Sequence, residues 1–577
     1  MREHATLLST YLRAQRRQVA SLALLLLTSI ALQLVNPQIL RRFIDTANAG
    51  GAVQTLVNIG GLFMLVALIQ QAFSVGAVYL SENIGWTATN SLRADLMLHC
   101  LRLDQSFHKS RTPGELIERI DGDATALANF FSKFVIQLLA NTLLLVGVLL
   151  VLWGLDWRLG LAMTVFTATA LLCLTKVQAW VMPYWKRARQ ANAELFGFLE
   201  ERLAGTEDIR ASGAQEYTLR RLNERLYDHY RAERAANLRA RTTWTTAHGF
   251  YALGTAVVFG LGAYLFKAGN MTVGTIFVVT YYLGLLVHPL LEIARQAEDM
   301  QKAGAGIARI QELFNIRTAL QERATTTLPA GPLDVAFANV AFAYGNDELV
   351  LQDISFELPP GRVLGVLGRT GSGKTTLTRL LFRLYDPRQG TIRLAGTDLR
   401  NLALRDLRRR VGIVTQEVQI FHASLRANLT LFDPSIPDEQ IVLALDDVGL
   451  GSWYRSLPEA LDTLLVGGHG GLSAGEAQLL AFTRIFLRNP GLVILDEASS
   501  RLDPATEQLI EHAVDKLLRN RTGIIIAHRL DTIERADDIL ILEAGHVREY
   551  GPRSRLLQDP ASRFNALLRA GMEEALA

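Results

Sequence analysis

A short stretch in the second half of the chain has the composition of a phosphate-binding loop. Residues 368–376 read Gly-Arg-Thr-Gly-Ser-Gly-Lys-Thr-Thr, which fits the pattern G-x-x-x-x-G-K-[ST]. Glycines let backbone N–H groups approach phosphate oxygens, and the start of a following helix favours an anion. Lys374 would reach the β- and γ-phosphates, and the Thr375 hydroxyl would ligate Mg²⁺. We therefore predict a nucleoside triphosphate site formed by Gly368, Thr370, Gly371, Ser372, Gly373, Lys374, Thr375 and Thr376.

The sequence on either side of this loop supports the prediction. Val363–Leu367 is an apolar run typical of a buried strand, and Leu377, Leu380 and Leu381 give the following residues the apolar face of a helix. A strand, a glycine-rich loop and a helix in this order are the context that the motif requires. A glycine turn without phosphate chemistry would require neither the strand nor the helix.

Two further apolar strands end in residues that could act on a phosphate. Leu492–Leu495 is followed by Asp496 and Glu497. The aspartate can hold the water shell of Mg²⁺, and the glutamate can orient or deprotonate an attacking water. The run Ile524–Ala527 ends at His528, a residue type suited to sensing the γ-phosphate.

Tyr344 is the aromatic candidate for the nucleobase. It precedes the phosphate-binding loop by one predicted hairpin and could stack on a purine. Taken alone, a tyrosine at this position is better explained by core packing. The assignment therefore depends on the motifs that surround it.

Length and composition indicate at least two domains and a membrane half. The chain has 577 residues, of which 49% are hydrophobic, and the apolar excess is concentrated before residue 315. A net charge of +3 gives no argument for nucleic-acid binding. The two cysteines have neither metal-ligand spacing nor a disulfide framework.

Six apolar runs are long enough to cross a bilayer, which takes about 20 residues. A single run could be a buried core helix instead, but six within 315 residues favour membrane spans. The basic residues that precede the first span place the N-terminus in the cytoplasm. The predicted spans are Val19–Leu40, Leu56–Leu80, Phe134–Leu155, Leu159–Val181, Thr246–Phe266 and Val273–Leu291.

The two long charged segments between these spans have helical periodicity. We expect the spans to continue into the cytoplasm as long helices, with breaks near Arg111–Gly114 and Ala211–Gly213 that let a short helix form at each tip. Polar residues inside the spans need a partner or a cavity. His288-Pro289 is the most suggestive, and both a helix kink with an internally bonded histidine and a substrate contact remain open. The other candidates are Gln33, Asn36, Gln38, Gln70, Gln71 and Asn141.

Leu472–Glu476 resembles the signature of the ABC transporter superfamily, usually Leu-Ser-Gly-Gly-Gln. The resemblance runs from Tyr344, the base-stacking residue of the family, through His528, its switch histidine. It implies that Gln416 is the family's Q-loop glutamine, with a catalytic and metal-binding role beside Glu497, His528, Thr375 and Asp496. It also implies that Ser473 and Gly475 contact ATP. Ser500–Asp503 matches the D-loop.

The membrane half resembles an exporter-type half-transporter, because Gly114–Arg119 and Gly205–Glu216 are similar to the coupling regions of that family. The fold class expected is therefore membrane α-helical with six spans, followed by an α/β P-loop ATPase domain. The domains expected are residues 1–315 for the membrane, 316–332 for a linker and 333–577 for the nucleotide.

The chain departs from the family pattern in its signature and just before it. Ala474 replaces a glycine, Glu476 replaces the glutamine, and Ala477 stands where an arginine is common. The glycine-rich stretch Val466–Gly471 lacks the usual acidic residue, which predicts altered coupling there. Ala474 and Glu476 lead us to favour a heterodimer whose two ATP sites are unequal, while a homodimer remains open.

The resemblance implies ATP-driven export by alternating access, with ATP and Mg²⁺ as cofactors. The partners implied are a second half-transporter, membrane lipid and an unidentified substrate, with no nucleic acid. The expected location is a multi-pass protein of the bacterial inner or cell membrane with its nucleotide domain in the cytoplasm. The alternative is an ATP-gated channel or a regulatory receptor on the same scaffold. Glu497 and His528 favour turnover over gating.

Overall fold

The chain divides into two compact units. The computed structural model describes residues 11, 13–129, 136–320, 326–345, 348–415, 418–465, 472–496, 504–527 and 533–569. One unit comprises Met1–Leu101 and Thr112–Ile316, and the other comprises Arg102–Arg111 and Arg317–Ala577. The sequence had placed Arg102–Arg111 in the membrane domain, whereas the structure packs this segment with the nucleotide half.

The first unit is all-helical. Among the described residues, six helices are long and apolar enough to cross a membrane, as the sequence predicted. Short helices and a π-helical turn at Glu118–Gly122 join them. In chain order, with α3 belonging to the second unit, the helices are α1 (Arg16–Asn48), α2 (Val53–Arg102), α3 (Gln105–Ser110), α4 (Pro113–Ile117), α5 (Asp123–Asn129), α6 (Ile136–Leu155), α7 (Trp157–Ala204), α8 (Thr206–Ala211), α9 (Gln215–Lys267) and α10 (Val273–Asn315).

Three of the membrane helices are far longer than a bilayer is thick. Helices α2, α7 and α9 contain 50, 48 and 53 residues. At 1.5 Å per residue they extend about 72–80 Å, against about 30 Å for the hydrocarbon core. The long continuous helices predicted from the periodicity are therefore confirmed. Helix α8 forms at the second predicted break, where Gly213 adopts a φ of 64° that favours glycine.

Helices α6, α7, α9 and α10 of the first unit share an apolar core. Leu152, Leu159, Met163 and Leu283 are fully buried in it. Fully buried Tyr282 donates a hydrogen bond to the carbonyl of Leu34 (2.5 Å). Many leucines on the outer faces remain exposed within this single chain, including Leu65 and Leu68 of α2. Lipid is the environment that suits such a surface.

The second unit contains an α/β fold with two main sheets. In its described part, an antiparallel sheet has the order β2-β1-β4-β5, and a mostly parallel sheet has the order β12-β11-β3-β10-β9-β6. The strands are β1 (Val335–Phe342), β2 (Leu351–Leu358), β3 (Val363–Leu367), β4 (Gln389–Leu394), β5 (Thr397–Asp398), β6 (Val411–Val414), β7 (Ala423–Ser424), β8 (Leu464–Leu465), β9 (Leu492–Asp496), β10 (Thr522–Ile526), β11 (Asp538–Glu543) and β12 (His546–Pro552).

Helices cover both faces of the parallel sheet, so its strands are apolar on both sides. Ile524 and Ile526 of β10 point into one core, and Ile525 between them points into the other. This alternation follows from the two-residue period of a strand. The helices are α11 (Lys374–Leu381), α12 (Leu404–Arg410), α13 (Leu425–Thr430), α14 (Asp438–Asp447), α15 (Gly451–Ser456), α16 (Ala474–Arg488), α17 (Pro504–Leu518), α18 (Arg553–Gln558) and α19 (Arg563–Arg569).

Candidate functional site

The predicted phosphate-binding loop lies between fully buried β3 and the first turn of α11. Gly368, Gly371 and Gly373 have φ angles of 152°, 84° and 102°, a region that strongly favours glycine. A side chain at Gly368 would collide with the carbonyl of Leu542, and a Cβ at Gly373 would lie 2.5 Å from Leu351 Cδ2. The loop is therefore held by packing in a shape that only glycines allow.

The polar groups of this loop fit a polyphosphate. The Lys374 ammonium donates to the carbonyls of Gly368 (2.5 Å) and Arg369 (3.2 Å), which keeps it folded over the loop. Ser372 is 4% exposed, and its hydroxyl has no hydrogen-bond partner within the described part of the chain. A buried hydroxyl without a partner is costly, and a phosphate oxygen in the loop would satisfy it.

Tyr344 is held at the side of this loop by other aromatic rings. Its ring meets those of Phe342 and Tyr385 nearly at right angles, with centroids 4.9 and 5.2 Å apart. Its hydroxyl lies 3.1 Å from Thr376 Oγ1 and accepts a hydrogen bond from Arg379 (3.2 Å). Burial raises the pKa of the Tyr385 hydroxyl. The structure thus places Tyr344 next to the helix that begins at Lys374.

The strands that lead to the other predicted residues end at the same edge of the sheet. Ile526 of β10 pairs with Val366 on one side and with Asp496 of β9 on the other. Parallel strands in register bring their carboxyl ends together, so β3, β10 and β9 finish level with one another. Strand β6 also pairs with β9, up to Val414. Gln416, Glu497 and His528, which follow these strands, lie outside the described residues.

The candidate metal ligands fit Mg²⁺ in their chemistry. Thr375, at the start of α11, and Asp496, at the end of β9, both offer oxygen atoms, the ligands that Mg²⁺ prefers. Among the described residues, no cluster of three His, Cys, Asp or Glu side chains could hold a metal. A magnesium ion here would therefore depend on phosphate oxygens and water as well.

The signature segment forms the start of α16. Ser473 is the N-cap of this helix, and its hydroxyl accepts a hydrogen bond from the backbone of Glu476 (3.2 Å). The Glu476 carboxylate in turn accepts one from the Ser473 backbone (2.7 Å). This reciprocal pair is a capping box. The charge of Glu476, which the sequence left without a partner, is thus offset by a backbone N–H group and the positive end of the helix.

Helix α3 lies in the segment Arg102–Arg111, which groups with the nucleotide half. Helix α3 is capped by Asp104, whose carboxylate accepts hydrogen bonds from Ser106 (3.1 Å) and Phe107 (3.2 Å) and from Ala319 (2.7 Å). Burial alone would raise the pKa of Asp104, but these hydrogen bonds together hold it below its ordinary value.

At the end of α3, the Lys109 ammonium lies 4.3 Å from the centroid of the Tyr344 ring. The sequence predicted a short helix at this tip of the cytoplasmic extension but not its contact with Tyr344. The local sequence signal for this short helix is the N-cap residue Asp104, followed by a polar run with one buried apolar residue, Phe107.

Some of the polar residues in the membrane spans converge on a cavity. Gln33, Asn141 and His288 come from α1, α6 and α10 and line a space of about 260 Å³ together with Pro289 and apolar neighbours. Gln38 has a structural role instead, because its amide donates to the Tyr282 hydroxyl (3.0 Å). Asn36 is buried with its side-chain oxygen unpaired within the described residues, while Gln70 and Gln71 do not line this cavity.

Fold and site together define a membrane protein with a P-loop nucleotide-binding domain on the same chain. Comparison with known proteins agrees. The profile described as the ABC transporter transmembrane region matches residues 20–290, and that described as ABC transporter matches residues 351–500.

Known proteins are similar over almost the whole chain. A Bacillus subtilis protein, described as the uncharacterized ABC transporter ATP-binding protein YknV, is 30% identical over 95% of this chain and 92% of its own length. The exotoxin translocation ATP-binding protein PaxB of Pasteurella aerogenes is 29% identical, over 92% of this chain and 75% of its own length. A solved structure of a bacterial Atm1-family ABC exporter with ATP bound gives a TM-score of 0.76 at 25% identity, covering 97% of each chain. The chain belongs to the ABC transporter family, with membrane and nucleotide-binding domains fused as in the exporters.

Proposed function

We propose that this protein hydrolyses ATP to export a substrate across the membrane by alternating access, as one half of a dimer. The observation that carries the proposal is a phosphate-binding loop of the correct shape, with a buried unpaired Ser372 hydroxyl, on the same chain as six membrane helices. The similarity to exporters over nearly the full chain supports it. Its nucleotide half would face the cytoplasm of a bacterial cell.

The roles that we assign to the residues in ATP binding and hydrolysis follow from the sequence motifs in which they stand. The loop from Gly368 to Thr376 binds the triphosphate, and Tyr344 stacks on the base. Thr375, Asp496 and Gln416 would hold Mg²⁺, which when bound would supply positive charge to neutralise the phosphates. Glu497 orients or deprotonates the attacking water, and His528 senses the γ-phosphate. ATP binding closes two nucleotide domains, and hydrolysis resets them.

We further propose that the partner is a different half-transporter. The signature of this chain would act on the nucleotide of its partner, so Ala474 and Glu476 would weaken the partner's site and not its own. The capping box supports this proposal, because it keeps the Glu476 carboxylate at the start of α16, where a phosphate of the partner's ATP would approach. Like charges repel, and this ATP site would be the slower of the two.

The membrane cavity is our candidate for the substrate contact. Gln33, Asn141 and His288 each present hydrogen-bonding groups to it. Pro289 has no N–H group, so the carbonyl of Leu285, which also lines the cavity, lacks its helical hydrogen bond. Such groups inside a membrane span suit a polar cargo with amide or hydroxyl groups better than a hydrocarbon.

Transport measurements in lipid vesicles test the function. With its true partner present, the protein should hydrolyse ATP faster when its cargo is added, and a panel of candidate compounds in lipid discs would identify that cargo. Asn141→Ala and His288→Ala should reduce this stimulation while leaving basal hydrolysis unchanged, and Gln70→Ala is the matched control. Ion current on ATP addition without vectorial movement of a compound would instead support the channel alternative.

A further inference from the structure

The ring of Tyr344 is shared between the nucleotide-binding fold and a helix that comes from the membrane half of the sequence. Lys109 of α3 lies over this ring, with its ammonium 4.3 Å from the centroid. Along the chain, α3 follows membrane helix α2, yet it belongs to the same compact unit as Tyr344. The contact is therefore internal to the second unit.

Lys109 is the exposed member of the group of residues around the Tyr344 ring. Phe342 and Tyr385, whose rings lie nearly perpendicular to that of Tyr344, are only 3% and 7% exposed and belong to the core. Thr376 and Arg379 hold the hydroxyl end of the ring. These four neighbours are buried or half-buried, whereas Lys109 is an exposed residue.

The position of Lys109 is set by the helix that carries it. Asp104 caps the start of α3 and also accepts a hydrogen bond from the backbone of Ala319, which ties the helix to the chain beyond the membrane domain. Phe107, in the middle of α3, is 8% exposed. The cap and the buried side chain fix the backbone of α3. The backbone position of Lys109 beside the ring is therefore set by the helix.

We propose that the nucleobase stacks on the face of Tyr344 that Lys109 covers, so that the base competes with Lys109 and ATP binding releases one contact of α3. This proposal rests on the function proposed above. One ring face cannot hold both a stacked base and an ammonium, so the base must displace Lys109. An exposed cation–π contact is worth about two- to fivefold in an equilibrium constant.

Two probes separate the base from the phosphates. Binding of Mg-β,γ-methylene-ATP and of Mg-tripolyphosphate is measured on the full chain in lipid discs. Lys109→Met, which keeps the length of the side chain, should tighten binding of the ATP analogue about two- to fivefold and leave tripolyphosphate unchanged. In a Tyr344→Ala background, Lys109→Met should have no effect on either probe.

The controls isolate the cation and its place. Lys109→Arg keeps a cation over the ring and should bind both probes as the wild type does. Lys186→Met removes the same charge from an exposed position of α7 in the other unit and should also change neither. An unchanged or weakened affinity of Lys109→Met for the analogue, or an equal change for both probes, would overturn the proposal. Failure of the wild type to bind either probe would refute the proposed ATPase function instead.

Discussion

Lys374 is paired with carbonyl groups of its own loop, and this pairing explains how the loop can exchange partners. The ammonium contacts the carbonyls of Gly368 and Arg369. A carbonyl oxygen carries only a partial charge, so a phosphate is the stronger partner for a lysine. ATP should therefore draw the Lys374 ammonium away from these carbonyls. The Ser372 hydroxyl, which has no partner among the described residues, should at the same time gain a phosphate oxygen as its partner.

Substitutions at Lys374 and Glu497 should separate binding from hydrolysis. Lys374→Ala removes the charge that faces the phosphates, so it should weaken MgATP binding itself. Glu497→Gln should leave binding intact but abolish hydrolysis and trap a closed dimer, because only the positioning of water is lost. Equilibrium binding and single-turnover hydrolysis measure the two effects. Wild-type affinity of Lys374→Ala for MgATP would contradict the first assignment. Near-normal turnover at the ATP site that contains Glu497→Gln would contradict the second.

Tyr344→Ala should weaken ATP binding by about 1–3 kcal/mol, since base–aromatic stacking is worth that much. Tyr344→Trp should be tolerated, because the larger ring keeps a stacking face. Isothermal titration with ATP compares the two variants with the wild type. Equal losses in both would mean that the contacts with Phe342 and Tyr385 matter for packing alone.

Among the secondary-structure elements, α3 and α16 begin with side-chain caps that bear on function. Asp104 caps α3 and also accepts a hydrogen bond from the Ala319 backbone. One carboxylate therefore joins two segments of the second unit that are 215 positions apart in the sequence. Ser473 and Glu476 cap α16 reciprocally. Caps satisfy backbone N–H groups that a helix leaves free, and a change in either should alter the position of its element more than the fold.

Asp104→Ala should destabilise the second unit by about 1 kcal/mol, as expected for the loss of an N-cap. Because hydrogen bonds lower the pKa of Asp104 in the folded protein, its contribution is complete above the unfolded pKa of about 3.9 and is lost as the pH falls through the folded value. The difference in unfolding free energy between Asp104→Ala and wild type should therefore shrink in strongly acidic solution. Denaturant unfolding at a series of pH values measures it, and a difference that is constant down to the lowest pH would be inconsistent with this role.

Glu476→Gln should increase ATP occlusion at the site that this signature completes. Glutamine can keep the capping box, so the substitution removes the negative charge but preserves the geometry of α16. Glu476→Ala removes both and is the matched control. Nucleotide trapping in the assembled dimer is the measurement. If the glutamine variant occluded no more ATP than the wild type, the charge would have no part in slowing this site.

For the whole molecule, the question is which chain completes the ATP sites. The phosphate-binding loop of this chain has the shape that ATP requires, whereas its signature carries Ala474 and Glu476. An assembly with one good and one poor site would account for this combination. The six membrane helices leave much apolar surface exposed in a single chain, which suits lipid and, in the proposed dimer, a partner.

Expression of this chain alone should give a poorly assembled or weakly active product, because two poor signatures would then meet two good loops. Coexpression with a half-transporter that has a standard signature, and lacks the glutamate after its own strand aspartate, should restore activity. Size measurements in detergent and cargo-stimulated ATP hydrolysis test this. A stable homodimer with stimulated hydrolysis and transport would refute the heterodimer.

The sequence by itself determined the local features of this protein. The glycine spacing from Gly368 to Gly373, the apolar strand before it and the six apolar runs each depend on neighbouring residues, so their patterns can be read directly. The same holds for the long helices, whose period continues past the membrane spans. The family resemblance rests on these contiguous motifs, and the similarity to known ABC transporters confirms it.

The tertiary structure alone decided which distant residues meet. Gln38 and Tyr282 are 244 positions apart, and their hydrogen bond separates a structural amide from Gln33, Asn141 and His288 of the cavity. The tertiary structure also placed Arg102–Arg111 with the nucleotide half and the Lys109 ammonium over the Tyr344 ring. The roles of these polar residues are set by packing between elements and not by their neighbours along the chain. The sequence alone therefore cannot distinguish a structural amide from one that lines a cavity.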